Sequence, residues 1–361
     1  MTLDAAAADG LWLDAAERYG ALHWLDNVSA RIERIDLGGQ PVPLVLPAPR
    51  DGTSYVACPI SAWARYPHEE LRRRGRIGHA LARPAVTGLA AWMRAAGLHR
   101  AASLGNWLVS TNLHPDASAA DWRHARDAAL VLAPDRPLIV RNVCPAHDAA
   151  LAHTLRDAGW WLMPARRVYL CDPRDDAVQR RNNVRNDRRA LNKSHLEPVD
   201  AAAMDAGELA GFRSLFRQLF IDKHSRLNPD FSDAFFAHCR DTGFLRLHGL
   251  RHEGRVVGVI GLMERHGWTT APLLGYDTAA PKTLGLYRAL MALSFESAAA
   301  AGTRLHLSSG AGEFKRARGG EPALEYSALY VRHLPPARRA AAGALVALMQ
   351  RAAPPALARF G

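Results

Sequence analysis

The sequence has few cysteines, and their spacing does not build a metal site or a disulfide framework. The four are Cys58, Cys144, Cys171 and Cys239, and no two of them form a CxxC pair. Cys144 with His147 is a lone CxxH, and His248 with His252 a lone HxxxH; each offers fewer ligands than a zinc site needs. We therefore expect a protein that uses no metal and whose cysteines are small buried hydrophobic residues.

Long apolar runs are also missing. The longest, such as residues 340–349, are much shorter than the roughly 20 residues that a membrane span needs. Residues 1–17 carry acidic side chains and no basic stretch of the kind that opens a secretory signal. No basic strand interleaved with aromatic residues, as in RNA-binding domains, is present. We expect a cytoplasmic protein without a membrane span.

Positive charge is abundant. The formal net charge of +11 favours an anionic partner: nucleic acid, a phosphorylated metabolite or a nucleotide-bearing cofactor. Basic residues are densest in 179–195, where helical spacing would place Arg181, Arg185, Arg188 and Arg189 on one face. A solvated charged face is the alternative, but the interspersed asparagines are poor helix formers and favour binding. We expect Arg185 and Arg188 to bind phosphates of a substrate.

The segment 244–320 is predicted to form one connected unit. Strands at 245–250 and 256–263 flank a Gly-containing turn. A second turn at His266-Gly267 leads to a strand that ends at residues 274–277. A helix is predicted to open at Pro281, because proline suits the first helical position, and a strand running to Ser308 follows. Free amides at a helix start attract anions.

The first half is predicted to have similar elements. Residues 137–143 are predicted to form a strand, 146–158 a helix that ends at Gly159, and 160–163 with 167–171 a strand or strand pair. The acidic stretch 172–178 is the predicted linker. We therefore expect an α/β (mixed α+β) fold of two tandem lobes, each a mixed sheet flanked by helices: 1–172, a lobe without catalysis; 173–335, the catalytic domain; and 336–361, an Ala-rich tail helix broken at Pro354-Pro355.

An internal repeat supports the two lobes. Residues 84–89 and 281–286 both read Pro-x-x-x-Gly-Leu, and both are predicted to open a helix. Gly97 then corresponds to Gly302, and residues 103–106 to 308–311. In each half a helix therefore leads through glycine into a strand that ends in Ser-x-Gly.

Residues 180–334 resemble the Gcn5-related N-acetyltransferase (GNAT) superfamily, in particular its two-lobed Fem-type branch. The resemblance is carried by the basic helix at 180–193, the hairpin at 254–258, the strand end at 274–277, the segment 281–285, and Gly-Glu-Phe-Lys at 312–315. The usual acetyl-CoA signature Arg/Gln-x-x-Gly-x-Gly/Ala is absent, since 279–285 keeps one glycine. The resemblance implies that the acyl donor is a CoA thioester or an aminoacyl-tRNA, and that the first lobe need not be catalytic.

N-acyl transfer requires a proton acceptor, a site for an oxyanion and stabilisation of the leaving group. Asp277 is the first candidate for general base and Glu313 the second, and Tyr276 could donate to the leaving group. Amides of Leu274 and Gly275 would hold the carbonyl oxygen. The helix start with Lys282, Thr283 and Gly285 would hold the donor, and Ser309 would contact the substrate. The resemblance places Lys315 near the transferred acyl group; a surface lysine is the alternative.

The leading hypothesis is an N-acyltransferase that moves an acyl group from acetyl-CoA or another acyl-CoA to a small or peptidic amine. One alternative uses aminoacyl-tRNA to extend a cell-wall precursor peptide, which would explain the positive charge. Another is an accessory protein without catalysis that binds phosphate or nucleic acid through the basic helix. The acceptor amine and the oligomeric state stay open at this point.

Overall fold

The computed structural model describes residues 3–48, 53–74, 76–193 and 195–360. The start of the chain, residue 194 of the predicted basic helix and residue 361 of the predicted tail lie outside the described residues. Strands and helices alternate along the chain, which confirms the predicted mixed α/β class.

The helices have the following bounds: α1 Ala5–Tyr19, α2 Tyr66–Arg74, α3 Arg76–Ala95, α4 Ala119–Leu132, α5 Ala149–Asp157, α6 Asp176–Gln179, α7 Asn182–Lys193, α8 Ala206–Arg217, α9 Asp233–Thr242, α10 Leu286–Ala300, α11 Gly312–Arg316 and α12 Pro336–Phe360. The strands are β1 Ala30–Leu37, β2 Gln40–Pro47, β3 Ala102–Leu104, β4 Leu138–Val143, β5 Trp161–Cys171, β6 Glu197–Asp200, β7 Arg246–His252, β8 Arg255–Arg265, β9 Trp268–Tyr276, β10 Arg304–His306 and β11 Glu321–Tyr330.

The chain divides into two compact units. Unit N comprises Leu13–Arg166, Ser225–Pro229 and Leu324–Gly361, and unit C comprises Met1–Trp12, Arg167–His224 and Asp230–Ala323. In unit N the strand order is β1-β2-β3-β4-β11, with β3 and β4 parallel and the other neighbours antiparallel. In unit C the order is β5-β10-β9-β8-β7-β6, and only the pair β10 and β9 is parallel. Each unit thus has a mixed sheet with one parallel pair.

Local sequence explains where several helices begin. Asp205 and Glu208 form a capping box before α8, in which each side chain accepts a hydrogen bond from the other residue's backbone N–H. Ser118 and Asp121 do the same before α4. Ser232 caps α9. These side chains satisfy amides that have no partner inside the helix, so the sequence fixes the start of each helix locally.

The predicted hairpins are confirmed. The turn between β7 and β8 has positive φ at Glu253 (48°) and Gly254 (76°), and the turn between β8 and β9 has positive φ at His266 (52°) and Gly267 (75°). Two successive residues of positive φ give the turn whose twist matches that of antiparallel strands. The strand at 137–143 and the Gly159 helix end (φ 88°) are confirmed as well.

Three predictions that rest on proline were wrong. Pro84 lies inside α3 rather than at its start, because Leu89 and Trp92 further along the same helix pack against a hydrophobic core and hold it together. Helix α12 continues through Pro354 and Pro355. These prolines are not buried, so the carbonyl groups that lose a donor can bind water.

The third concerns Pro281, which has extended ψ (132°) and precedes a 3₁₀ turn at Lys282–Leu284. Gly285 then adopts the left-handed conformation (φ 60°), and α10 starts only at Leu286. The repeat therefore does not rest on two helix-opening prolines. Its second part holds: Gly97 and Gly302 have positive φ, and each precedes a short strand that pairs in parallel.

Among the helices that the structure describes, none is long and apolar enough to cross a membrane.

In unit C, helix α8 packs closely on β9 at Gly275. A Cβ atom at residue 275 would lie 2.5 Å from the backbone nitrogen of Phe216 and 2.6 Å from its Cα. Real Cβ atoms do not approach backbone so closely, and a helix backbone cannot rotate away as a side chain does. The strand therefore needs glycine here for α8 to lie against it.

We expect Gly275→Ala to destabilise the protein by about 3 kcal/mol, at the upper end of the cost of overpacking a core. Gly211→Ala is the matched control, because it lies in α8 and a Cβ there meets nothing within 4 Å. That variant should gain up to about 1 kcal/mol from helix propensity. Thermal unfolding followed by calorimetry measures both, and a Gly275→Ala protein that unfolds at the wild-type temperature would contradict the packing argument.

Candidate functional site

In unit C the two parallel strands separate. Strand β10 pairs with β9 from Arg304↔Trp268 to His306↔Thr270. Strand β9 continues to Tyr276 and stays paired with β8 as far as Gly258↔Tyr276. Residues 271–276 of β9 therefore extend beyond the ladder with β10, and their backbone groups on that side can accept a ligand.

A bulge in β9 lies where the separation begins. The register changes from Met263↔Thr270 to Gly261↔Leu273, so β9 has one more residue than β8 over this interval. The extra residue falls at Ala271-Pro272, and proline is tolerated at a bulge because it has no N–H to donate. A bulge bends the strand and increases its local twist, which turns β9 away from β10.

The register also shows which amides face the open edge. The N–H of Asp277 donates to the carbonyl of Val257 at 2.9 Å. Directions alternate along an antiparallel strand, so the N–H of Gly275 points toward β8, whereas the N–H groups of Leu274 and Tyr276 point to the open edge. The expectation that Gly275 donates to a carbonyl oxygen is therefore wrong. Gly275 serves the packing of α8 instead.

Beyond β9 the chain reaches the start of α10. Gly285 precedes this helix and forms no side-chain cap, so the amides of its first turn keep their hydrogen-bonding capacity. Lys282 and Thr283 lie just before it and are exposed. An open strand edge followed by an uncapped helix start fits an extended donor with amide groups and a pyrophosphate, as in acyl-CoA.

Aromatic rings connect the end of β9 with α10 and α11. The rings of Tyr276 and Tyr287 lie 6.5 Å apart, and those of Tyr287 and Phe314 4.8 Å apart. Burial raises the pKa of Tyr287 to about 12, so its phenol stays neutral at ordinary pH. Tyr276, predicted as a site residue, is thus placed beside α10 by packing with Tyr287.

A buried carboxylate holds the helices around this cluster. Asp187 of α7 accepts hydrogen bonds from Arg288 Nε at 2.6 Å and Arg318 Nε at 2.5 Å. The guanidinium of Arg318 lies 3.3 Å from the centroid of the Phe314 ring. Asp187 is 3% exposed and Arg318 8%. The single acid in the basic segment is therefore an anchor that joins α7, α10 and the end of α11.

The two predicted carboxylates have different surroundings. Asp277 is half-buried, and its Oδ1 accepts a hydrogen bond from the N–H of Ala279 at 2.8 Å, which closes the turn after β9. Glu313 is exposed in the first turn of α11. Asp277 directly follows the open edge of β9. Glu313 precedes Phe314 in the chain, and the Phe314 ring packs on Tyr287, which in turn lies beside Tyr276.

Lys315 is buried rather than a surface residue, with 4% exposure. Its Nζ donates to the carbonyl oxygens of Ser309 at 2.7 Å and Ser308 at 3.4 Å. It also lies 5.7 Å from the centroid of the Tyr169 ring. The ammonium group therefore fixes the loop after β10. The side chain of Ser309 is exposed.

Arg185 and Arg188 of the basic helix α7 have different surroundings. On α7, Val184, Asp187 and Leu191 are buried and Arg185 is exposed. Arg188 donates to Gln179 Oε1 at 2.6 Å and pairs with Glu296 at 3.4 Å. The predicted residues Leu274 and Tyr276 lie at the end of β9, Asp277 follows it, Gly285 directly precedes α10, and Arg185 is exposed.

Sequence reasoning missed Tyr287, Arg288, Asp187 and Arg318. A usable signal for Asp187 was its position among Val184 and Leu191 at helical spacing, which marks the buried face of α7. Among the described residues, no group of three or more His, Cys, Asp or Glu is placed to hold a metal ion.

Parts of the chain are similar to known proteins. Residues 178–316 match the family model described as an acetyltransferase (GNAT) domain. FemX has a similar structure, with 10% identity, 91% of this chain and 96% of that chain covered, and a TM-score of 0.52. L-PGS from Bacillus licheniformis is 15% identical, with 63% of this chain and 78% of that chain covered and a TM-score of 0.46. A GCN5-related N-acetyltransferase from Kribbella flavida is 14% identical, with 64% of this chain and 80% of that chain covered and a TM-score of 0.34. No curated protein matches the sequence.

Unit C thus contains a domain of the acetyltransferase class, with its separated parallel strands and helix start. Residues 178–316 are thus similar to the acetyltransferase (GNAT) domain family, and the fold of the chain is similar to that of FemX. Domains of this superfamily generally use acyl-CoA as co-substrate.

We expect Asp187→Asn to destabilise the protein by about 3–5 kcal/mol, because it leaves the buried Arg318 guanidinium without a countercharge. Asp176→Asn is the control: this carboxylate is 83% exposed and pairs with Arg180 at 3.5 Å, so its loss should change stability by less than about 1 kcal/mol. Urea unfolding followed by tryptophan fluorescence compares the two. Equal free energies of unfolding for the two variants would show that the Asp187 carboxylate does not stabilise the fold.

Proposed function

We propose that the protein is an N-acyltransferase that moves an acyl group from an acyl-CoA, such as acetyl-CoA, to an amine. The observation that carries the proposal is the open edge of β9 at residues 271–276, which leads directly to the uncapped start of α10. An acyl-CoA has groups that suit both features: its pantetheine amides can pair with a strand edge, and its pyrophosphate can bind at a helix start.

In the proposed site the donor lies along β9. The N–H groups of Leu274 and Tyr276 would bind its carbonyl groups, and one of them would stabilise the oxyanion of the tetrahedral intermediate. The first turn of α10 would bind the pyrophosphate, with Lys282 and Thr283 beside it. The left-handed backbone of Gly285 permits the change of chain direction between Lys282-Thr283 and α10.

Asp277 is the proposed general base. Its Oδ1 is occupied by the Ala279 N–H, which leaves Oδ2 to accept a proton from the attacking ammonium group. The free amine then forms the C–N bond, and the C–S bond breaks as the tetrahedral intermediate collapses. Tyr276 is the proposed donor of a proton to the thiolate, and the second proton lost by the nitrogen restores the Tyr276 phenol. Lys315 acts as a positioning residue that keeps the Ser308-Ser309 loop in place.

The remaining site residues have proposed roles at the periphery. Arg185 and Arg188 would bind phosphates of the substrate through their planar guanidinium groups, and Ser309 would contact the acceptor. The location is proposed to be the cytoplasm. The four cysteines are free and buried, and burial raises the pKa of Cys144 to about 11 and that of Cys171 to about 12, which agrees with a reducing compartment.

A second candidate donor is aminoacyl-tRNA, used to extend a cell-wall precursor peptide. The net charge of +11 favours it, since phosphate contacts dominate nucleic-acid affinity. A third candidate is an accessory role in which the chain binds phosphate or nucleic acid without catalysis.

Donor binding separates these candidates. We expect calorimetric titration to give micromolar affinity for acetyl-CoA and much weaker affinity for adenosine, which lacks the pyrophosphate. Lys282→Glu should weaken acetyl-CoA binding about fivefold, the equivalent of roughly 1 kcal/mol for an exposed charge. Arg255→Glu makes the same charge change at the exposed β7–β8 turn and should have no effect.

The outcomes divide clearly. If acetyl-CoA does not bind but bulk tRNA binds with a steep salt dependence, the donor is aminoacyl-tRNA. If neither binds, the accessory role replaces catalysis.

We expect Asp277→Asn to lower kcat by about 10²–10⁴-fold, the usual contribution of a general base, while the Kd for acetyl-CoA stays within about twofold. Asparagine keeps the Oδ1 acceptor, so the turn at Ala279 should persist. Glu313→Gln is the control and should be nearly as active as wild type. Thiol release with the amine found by an acceptor screen measures kcat. Full activity of Asp277→Asn would assign the base to Glu313 or to water.

A further inference from the structure

Unit N contains a polar cluster at the carboxyl ends of its own parallel strands. Strand β3 ends at Leu104 and β4 at Val143, and the two are parallel, so both lead to one edge of the sheet. Residues 105–115 follow β3 without regular secondary structure and are buried except for Ser110. Loops usually lie on the surface, because buried backbone needs hydrogen-bonding partners.

Asparagine side chains supply those partners. Asn106 Oδ1 accepts from the N–H of Leu108 at 3.1 Å, and Asn142 Oδ1 accepts from the N–H of Asn112 at 2.9 Å. Leu108 and Asn142 have φ values of 59° and 62°. Left-handed backbone at residues other than glycine persists where its surroundings enforce it, and it concentrates at functional sites. The loop is therefore held rigidly in one conformation.

Two arginines in this frame share one carboxylate. Arg166 Nε donates to Glu325 Oε1 at 2.6 Å, and its Nη2 donates to Glu325 Oε2, to the carbonyl of Ser110 and to Thr111 Oγ1. Glu325 is 2% exposed, and it also accepts from Asn142 Nδ2 at 2.9 Å. Arg166 thus forms the hydrogen-bonded ion pair with Glu325, whereas Arg141 interacts with that carboxylate through its charge and without a hydrogen bond.

Arg141 is the second arginine, and it has no carboxylate partner among the residues that the structure describes. Its Nη1 donates to Asn106 Oδ1 at 3.0 Å and to the carbonyl of Val109 at 3.2 Å. Both are neutral acceptors. Burial and, secondly, the charge of Arg166 lower the pKa of Arg141 to about 10. A pKa that is lower in the folded than in the unfolded state means that this charge destabilises the fold below that pH.

Arg141 is nevertheless not fully buried as a residue. Arg141, Arg166, Ser110 and Tyr55 are half-buried, whereas the asparagines behind them are buried. The hydroxyl of Tyr55 is hydrogen-bonded to Ser110. Nε and Nη2 of Arg141 form no hydrogen bond within the described part of the chain, so one edge of the planar group remains for a ligand with paired oxygens.

We propose that this cluster is a binding site for an oxyanion, a carboxylate or a phosphate group of a small molecule, with Arg141 as its main ligand and Tyr55 and Ser110 beside it. A bidentate oxyanion matches the geometry of the guanidinium edge and supplies the missing negative charge. The proposal rests on unit N alone and does not depend on acyl transfer in unit C.

The test is calorimetric titration of the full chain with inorganic phosphate and, separately, with succinate, each against chloride at equal ionic strength. We expect wild type to bind at least one of them more tightly than chloride, and Arg141→Gln to weaken that binding by tenfold or more. Preference for phosphate or for succinate identifies the group. Arg100→Gln is the control, because Arg100 lies in the same unit and is paired with Asp135 at 2.8 Å; it should bind as wild type does.

Thermal unfolding distinguishes a binding role from a structural one. Without added anion, Arg141→Gln should unfold at or above the wild-type temperature, since it removes an uncompensated charge. The preferred anion should raise the midpoint of wild type and of Arg100→Gln but not of Arg141→Gln. Wild type that binds neither anion better than chloride, or Arg141→Gln that binds as wild type, would overturn the proposal. Arg141→Lys keeps the charge and loses the planar fork, so weaker binding by this variant supports a bidentate site even if the glutamine variant fails to fold.

Discussion

The separation of β9 from β10 is the constraint on which the candidate site depends. A parallel pair that stayed together to Tyr276 would bury every amide that the proposed donor needs. Two features accompany the end of the pairing: the bulge at Ala271-Pro272 and the short length of β10. Because β8 pairs with β9 throughout, the separation opens one edge of β9 without loosening the strand.

Excess positive charge shapes both units, in opposite ways. In unit C, Asp187 accepts hydrogen bonds from both Arg288 and Arg318, so one carboxylate joins α7, α10 and the turn after α11. In unit N, Glu325 is bound by Arg166, and Arg141 meets only neutral oxygens. Both oxygens of the shared Asp187 carboxylate are bound by arginines within the fold. An arginine without a bound carboxylate can still bind an external anion. The same composition thus gives an anchor in one unit and a proposed binding site in the other.

Local chemistry made the hairpins, the β4 strand and the Gly159 helix end predictable, because each depends on residues a few positions apart. Pro281 shows the limit: proline allows a helix start but does not require one, and Gly285 moved the start of α10 to Leu286. Pro84 and Pro354 lie within helices that packing and solvent tolerate. In each case the deciding interaction was with another part of the chain or with water.

The candidate site divides in the same way. Tyr276 and Asp277 adjoin in the chain and Gly285 follows after the next turn, so local sequence was enough to propose them together. Asp187 with Arg318, and Arg141 with Asn106, are joined across 131 and 35 positions, and their identity as partners arises only from the sheet order. The interruption of an apolar strand by Arg141 and Asn142 was nevertheless visible, since a charged residue in a buried strand must find partners or a ligand. Such an interruption deserves the same weight as a motif, because the fold must either neutralise the charge or leave it for a ligand.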